Sequence, residues 1–280
     1  MKTAIVTDST IYLPIEERER YNINIVPISV HFDDATYEEE ITLTVEQYYE
    51  IVHATKQFPK TSQPPIGKFV EIYERLAKDY DEIVAIHVSS GVSGTYDCAI
   101  QAAQLVDTVK VYGFDSGVAG GPLASYVIEA SKLAANGASA SQIIARLEDL
   151  QKTLDAYFIV DDLTHLQRSG RLSVTSSIIG SILQIKPILH MKDKKIAVFE
   201  KVRTKRKALN RVKEILHQAV EKYDELQAVV MHVNCEQQGR SWMEKLQSSY
   251  PSVHFQLAYF GPALATHLGE GTLAISWMKK

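Results

Sequence analysis

Short β-branched runs alternate along this chain with segments whose apolar residues recur every three and four positions. That alternation restricts it to α/β architectures. The runs lie at residues 4–6, 23–30, 83–88, 109–114 and 157–160, and helical spacing occupies 45–54, 68–80, 95–106 and 123–135. Successive βα units build parallel sheets, so the first half predicts a doubly wound, mostly parallel α/β domain.

The pattern changes after about residue 155. Residues 188–191 and 196–202 flank Lys192-Asp193-Lys194-Lys195, as the arms of an antiparallel hairpin would. A long helix at 205–223, a strand at 228–233, a helix at 241–250, a strand at 253–259, a short helix at 262–268 and a last strand at 273–277 complete the expectation. The predicted fold class is therefore a two-domain α/β protein. Residues 1–155 form the doubly wound domain, and 156–280 form a second α/β domain with a mixed sheet.

With 280 residues, 45% of them hydrophobic, there is enough chain for two cores, and 30 basic against 34 acidic side chains leave a net charge of −4. A near-neutral chain lacks the field for sequence-independent nucleic-acid binding. Cys98 and Cys235 stand in no metal-binding spacing, so neither a disulfide framework nor a cysteine metal site is expected, and a cytoplasmic location follows. The short apolar stretch before Asp8 does not make a signal peptide, and no run of about 18 apolar residues offers membrane insertion.

Three predicted strands end in small polar residues and glycine: Thr7-Asp8-Ser9-Thr10, Ser89-Ser90-Gly91-Val92-Ser93-Gly94-Thr95 and Asp115-Ser116-Gly117-Val118-Ala119-Gly120-Gly121. In a doubly wound sheet these ends share one edge, where ligands bind. The second loop runs straight into a helix, so backbone N–H groups, the helix dipole and the hydroxyls of Ser90, Ser93 and Thr95 can face one small anion. Simple capping by Ser93 or Thr95 is the plainer account of the same residues. Thr61-Ser62-Gln63-Pro64-Pro65 holds two hydroxyls on an extended segment, because each proline restricts the residue before it; a plain connector would look alike. His267 lies in the short helix near the C-terminus.

Neither nucleotide-binding glycine fingerprint is present. Ser93, Asp115 and His267 follow the chain order of an α/β-hydrolase triad, but Thr95 stands where the GxSxG elbow has its second glycine. A Ser-His-Asp hydrolase is thus the alternative function.

Taken together, these segments resemble the DegV family, whose members include the fatty-acid-binding subunits of bacterial fatty acid kinase. The resemblance rests on Thr7-Asp8-Ser9-Thr10, Thr61-Ser62-Gln63-Pro64, Ser89-Ser90-Gly91-Val92-Ser93-Gly94-Thr95-Tyr96, Asp115-Ser116, Leu166-Gln167-Arg168-Ser169-Gly170-Arg171, Ile185-Lys186-Pro187-Ile188, Val202-Arg203-Thr204 and His267-Leu268-Gly269. It implies a lipid carrier without a catalytic site, cofactor or metal of its own. A long-chain fatty acid would lie between the two domains, its carboxylate held by Thr61, Ser62, Ser93 and His267, with Gly94 and Thr95 in the same site. The acid would be presented to a separate ATP-binding kinase subunit, which makes acyl phosphate for phospholipid synthesis, and Arg171 and Arg203 match positions of the partner surface.

Two positions depart from the family pattern: Ser169-Gly170-Arg171 replaces Gly-Gly-Arg, and Gly269-Glu270-Gly271 replaces Gly-Pro-Gly. Ile178-Ile179, Ile182-Leu183, Ile188-Leu189 and Ala228-Val229-Val230 are candidate lining for the acyl chain, although such runs ordinarily form core. On a helix, Arg203, Lys207 and Arg211 would share one basic face.

Overall fold

The structure, a computed structural model, describes residues 2–173 and 186–280. The chain divides into two compact units, residues 2–149 with Gly261–Thr266, and Leu150–Phe260 with His267–Lys280.

The first unit begins with β1 (Thr3–Asp8), a 3-10 turn (Ser9–Ile11), α1 (Ile15–Arg20), β2 (Ile23–Val26), β3 (Ser29–His31) and β4 (Thr36–Glu38). It continues through α2 (Val45–Thr55), β5 (Lys60–Ser62), α3 (Ile66–Leu76), β6 (Glu82–His87), α4 (Thr95–Ala103), β7 (Lys110–Asp115), α5 (Gly121–Ala135) and α6 (Ala140–Gln151). The parallel sheet has the order β2-β1-β6-β7. Ala4, Val6, Ile83 and Ala85 face α3 and α4, where Phe69, Tyr73, Ala99 and Ala102 complete the core, and α5 packs against β1 and β6. The sheet is doubly wound, as the alternation predicts.

The run at 23–30 is two strands rather than one. Pro27 has no N–H for a ladder, and Ile28 gives its N–H to the Ser9 hydroxyl at 3.0 Å. The chain then leaves the parallel sheet, and β3 pairs antiparallel with both β4 and β5. The predicted connector at Thr61-Ser62 is thereby an edge strand of this small sheet.

In the second unit, β8 (Asp155–Ile159), α7 (Thr164–Arg168), β9 (Leu172–Ser173), β10 (Lys186–Lys192) and β11 (Lys195–Val202) precede α8 (Lys205–Lys222). They are followed by β12 (Leu226–His232), α9 (Glu236–Ser249), β13 (His254–Tyr259), α10 (Pro262–Leu268) and β14 (Leu273–Lys279). The mixed sheet runs β13-β12-β14-β8-β10-β11-β9. The hairpin of β10 and β11 forms as expected, with Asp193 and Lys194 both at positive φ as a type I′ turn demands.

Strand alternation sorts the second sheet cleanly. Tyr157, Ile159, Ile188, Ala228, Val230, Leu273, Ile275 and Trp277 face Ala208, Val212 and Leu216 of α8 and Trp242 and Leu246 of α9. Three of the candidate lining residues, Ile188, Ala228 and Val230, are therefore packed in this core. Leu189 and Val229 point to the opposite face, with Phe158, Met231 and Ala274. Ile178, Ile179, Ile182 and Leu183 lie outside the described residues.

Residues 261–266 belong with the first unit because buried polar groups hold them there. The Ala263 N–H reaches the Glu39 carboxylate at 2.7 Å, and the hydroxyls of Tyr48 and Thr266 lie 3.1 Å apart. A division drawn once, at 155/156, does not contain this return. Among the described residues no helix is long and apolar enough to cross a membrane.

Candidate functional site

The ends of β1, β6 and β7 lie side by side, as the sequence predicts, but the three loops do different work. Asp8 is buried at the end of β1, and its carboxylate accepts the N–H and hydroxyl of Thr10, the N–H of Val88 at 2.8 Å and His87 Nδ1 at 3.1 Å. This carboxylate staples β1 to β6 and is a structural group. Asp115, at the end of β7, accepts the Ser90 N–H at 3.1 Å, the Ser90 hydroxyl at 2.5 Å and the Gly117 N–H at 3.2 Å. Its carboxylate ties the second loop to the third.

That use of Asp115 removes the main support for a hydrolase triad, whose acid must orient the histidine. Ser93 sits on no nucleophile elbow either. Its hydroxyl lies 2.8 Å from that of Thr95 and accepts the Thr95 N–H at 3.4 Å. The hydrolase alternative finds no support.

The N-cap residue of α4 is Gly94, which has no side chain to offer the helix. Neither Ser93 nor Thr95 is the N-cap residue, although the Ser93 hydroxyl takes the first helical N–H. The helix presents its positive end and first-turn N–H groups beside a half-buried Ser93 and a buried Thr95. A β-carbon at Gly94 would fall 2.7 Å from Oε1 and 2.9 Å from Cδ of Gln63, so the Gln63 carboxamide rests on the glycine. Cys98 adds a contact from its thiol to the Pro64 carbonyl at 3.3 Å. These contacts bring Gln63 against Gly94, 31 residues later in the sequence, and Pro64 against Cys98.

Ser62 is oriented by a residue that sequence reasoning missed. His31, paired across β3 and β5, has Nε2 2.8 Å from the Ser62 hydroxyl and Nδ1 2.9 Å from that of Thr36. A histidine on the short central strand of this sheet carries no motif. Its role becomes visible only when the strands pair.

In the second unit His267 closes α10. Burial lowers its pKa to about 4, and the charges of Arg171 and His165 press in the same direction. The imidazole is neutral at physiological pH and offers one N–H donor. Arg171 is half-buried and gives its guanidinium to the Ser169 carbonyl at 2.5 Å. Its charge thus acts on His267.

Gly269 and Gly271 both have positive φ, and each lacks room for a side chain: β-carbons there would lie 2.8 Å from the His165 ring and 2.3 Å from the Asp161 carboxylate. Glu270, between them, is exposed. Arg203 is exposed too and lies outside α8, because Thr204 is the N-cap and accepts the Lys207 N–H at 3.2 Å. Arg211 pairs with Glu200 at 2.8 Å and Glu214 at 3.1 Å. The expected basic face of Arg203, Lys207 and Arg211 therefore does not form. Among the described residues no cluster of histidine, cysteine and carboxylate side chains could hold a metal.

The profile of a family described as an uncharacterised protein of the DegV family matches residues 2–280. The protein DegV of Bacillus subtilis is 47% identical over 281 residues, covering 100% of both chains. A crystal structure described as DegV, a fatty acid binding protein from Bacillus subtilis, superposes with a TM-score of 0.94 at 46% identity, again over 100% of each chain. A fatty acid binding DegV family protein from Streptococcus agalactiae gives a TM-score of 0.92 at 30% identity, over 100% of this chain and 99% of the other. This chain belongs to the DegV family.

Proposed function

We propose that this protein is a bacterial, cytoplasmic fatty-acid carrier. It binds one long-chain fatty acid and presents the carboxylate to a separate ATP-dependent kinase subunit, which forms the acyl phosphate used in phospholipid synthesis. The observation that carries the reading is the seating of Gln63 on Gly94, which joins the segment bearing Thr61 and Ser62 to the turn of Ser93 and Thr95 at the N-terminus of α4. Hydroxyls, N–H groups and a positive helix end suit a carboxylate. The relatives described as fatty acid binding, similar over the whole chain, support the same ligand class.

His267, neutral and able to donate, is the proposed head-group donor of the second unit. The apolar residues of the sheet face away from α8 and α9, Phe158, Leu189, Val229 and Met231, are the proposed acyl-chain lining in place of Ile188, Ala228 and Val230. Each buried methylene contributes roughly 0.8 kcal/mol before ordering costs, so a narrow apolar channel holds a long acyl chain tightly. Arg171 and Arg203 are proposed to face the kinase subunit.

Native mass spectrometry of the purified protein, followed by lipid extraction, tests the carrier reading. One fatty acid per chain is expected. Absence of endogenous lipid together with no uptake of added oleate or palmitate overturns it.

A further inference from the structure

Glu39 is fully buried, and among the described residues it forms no salt bridge. Three donors converge on it instead. Oε2 accepts the Ser9 hydroxyl at 2.6 Å, and Oε1 accepts the Tyr12 hydroxyl at 3.0 Å and the Ala263 N–H at 2.7 Å. The Tyr12 hydroxyl in turn accepts the Leu264 N–H at 3.2 Å.

These partners perform a task that α10 cannot perform for itself. Gly261 precedes the helix and has no side chain to cap it, and Pro262 has no N–H. The first N–H groups that need acceptors are those of Ala263 and Leu264. Glu39 takes one and Tyr12 the other, so a carboxylate and a phenol from distant positions replace the missing N-cap. Tyr12 is held for this by a left-handed backbone, φ 47°, and by its ring lying against Gly261.

We infer that Glu39 is a positioning residue for the fatty-acid site: with Tyr12 it fixes the first turn of α10 and thereby the orientation of His267, three residues beyond Leu264. The inference rests on the carrier reading for its consequence, and on hydrogen bonds alone for its geometry. Burial pushes the Glu39 carboxyl up to about 7, helped by the charge of Glu40, while its three donors oppose the rise. Glu40 is itself paired with Arg18, and Tyr12 remains a protonated donor because burial and Glu39 both raise it. On protonation one Glu39 oxygen becomes a donor. The Ser9 oxygen, which already receives the Ile28 N–H at 3.0 Å, can take that proton on its second lone pair, and Oε1, no longer part of a charged carboxylate, holds the Ala263 N–H and the Tyr12 hydroxyl less strongly. The first turn of α10 is therefore held differently on the two sides of neutrality.

The test follows the His267 ring by NMR in full-length protein with 15N-labelled histidine, and palmitate binding by titration, at pH values from 6 to 8. His267 and His165 are distinguished by substitution of His165. In the wild type the His267 signals should move with a midpoint near 7, well above the histidine's own titration. Glu39→Gln, which is uncharged, should abolish that movement and weaken palmitate binding at pH 8 about threefold to tenfold, the effect of one altered buried hydrogen bond. Tyr12→Phe keeps the ring against Gly261 while removing the acceptor of Leu264. It should displace the same signals, and it serves if Glu39→Gln does not fold. Coincident His267 signals in wild type and variants across this range overturn the inference. If His267 follows Glu39 but palmitate binds to neither protein at any pH, the coupling stands and the carrier reading fails.

Discussion

The carboxamide of Gln63 occupies the space that a β-carbon on Gly94 would need, with Oε1 only 2.7 Å from that point. This contact joins the edge strand that bears Thr61 and Ser62 to the turn that bears Ser93 and Thr95. Gly94→Ala should disturb binding more than folding. The backbone φ of −78° suits alanine, and the end of a glutamine side chain moves at small cost. We expect a stability change below about 1 kcal/mol and a palmitate affinity lowered about tenfold, from denaturant unfolding and binding titration of one sample.

Ser93→Ala removes a hydroxyl from the proposed carboxylate site. A lost hydrogen bond to a charged acceptor costs about 1.5–3 kcal/mol, or roughly a tenfold to hundredfold weaker affinity. Wild-type protein should not turn over p-nitrophenyl esters. Steady ester hydrolysis that disappears in Ser93→Ala would count against a pure carrier.

Gly261→Ala presents a different case, because the obstacle is a pinned aromatic ring. A β-carbon there would fall 2.3 Å from Tyr12 Cε1, and the Tyr12 hydroxyl is fixed by Glu39 and Leu264. Overpacking of this kind costs about 1–3 kcal/mol. Thermal unfolding should show the loss, and the same substitution made in a Tyr12→Ala background should cost less.

Glu39 and His267 should impose opposite pH dependences on stability. The folded pKa of Glu39, about 7, exceeds the ordinary 4.5, so the folded state holds a proton that the unfolded chain has released, and stability falls as pH rises through this window. The folded pKa of His267, about 4, lies below the ordinary 6.5, so its contribution is complete above 6.5 and is lost as pH falls towards 4. Each effect amounts to at most about 3 kcal/mol, and the two largely offset one another between pH 4.5 and 6.5. Denaturant unfolding across this range should show Glu39→Gln gaining stability with pH relative to wild type, and His267→Gln losing it. Parallel curves for all three proteins would contradict both shifts.

Arg171 and Arg203 should separate in one assay and agree in another. Arg171→Ala removes a positive charge that presses on His267, so the His267 pKa should rise, whereas Arg203→Ala should leave it unchanged. With the cognate kinase subunit, both variants should slow acyl-phosphate formation at low salt, with the difference shrinking as exposed charges are screened over about 8 Å at physiological ionic strength. Wild-type rates in both variants would remove these arginines from the partner surface.

The sequence by itself determined the elements and their class. Apolar periodicity distinguishes strand from helix, Asp193-Lys194 makes the hairpin turn, and small polar residues at three strand ends mark one edge of a doubly wound sheet. These features follow from local spacing and chemistry, which a linear reading contains. Pro27 likewise stands in plain sight as the break between β2 and β3, although its effect depends on the Ser9 hydroxyl that receives the Ile28 N–H.

Tertiary structure decided which of those residues remain available to a ligand. Asp8 and Asp115 look as functional as Ser93 in the sequence, yet pairing of the strands turns both into staples between loops. His31 and Glu39 carry no motif at all. One is aligned with Ser62 only by antiparallel register, and the other supplies the cap of a helix more than 220 residues away. Hydrogen-bond satisfaction is a property of three-dimensional neighbours, and each buried donor must find its acceptor wherever the fold provides one.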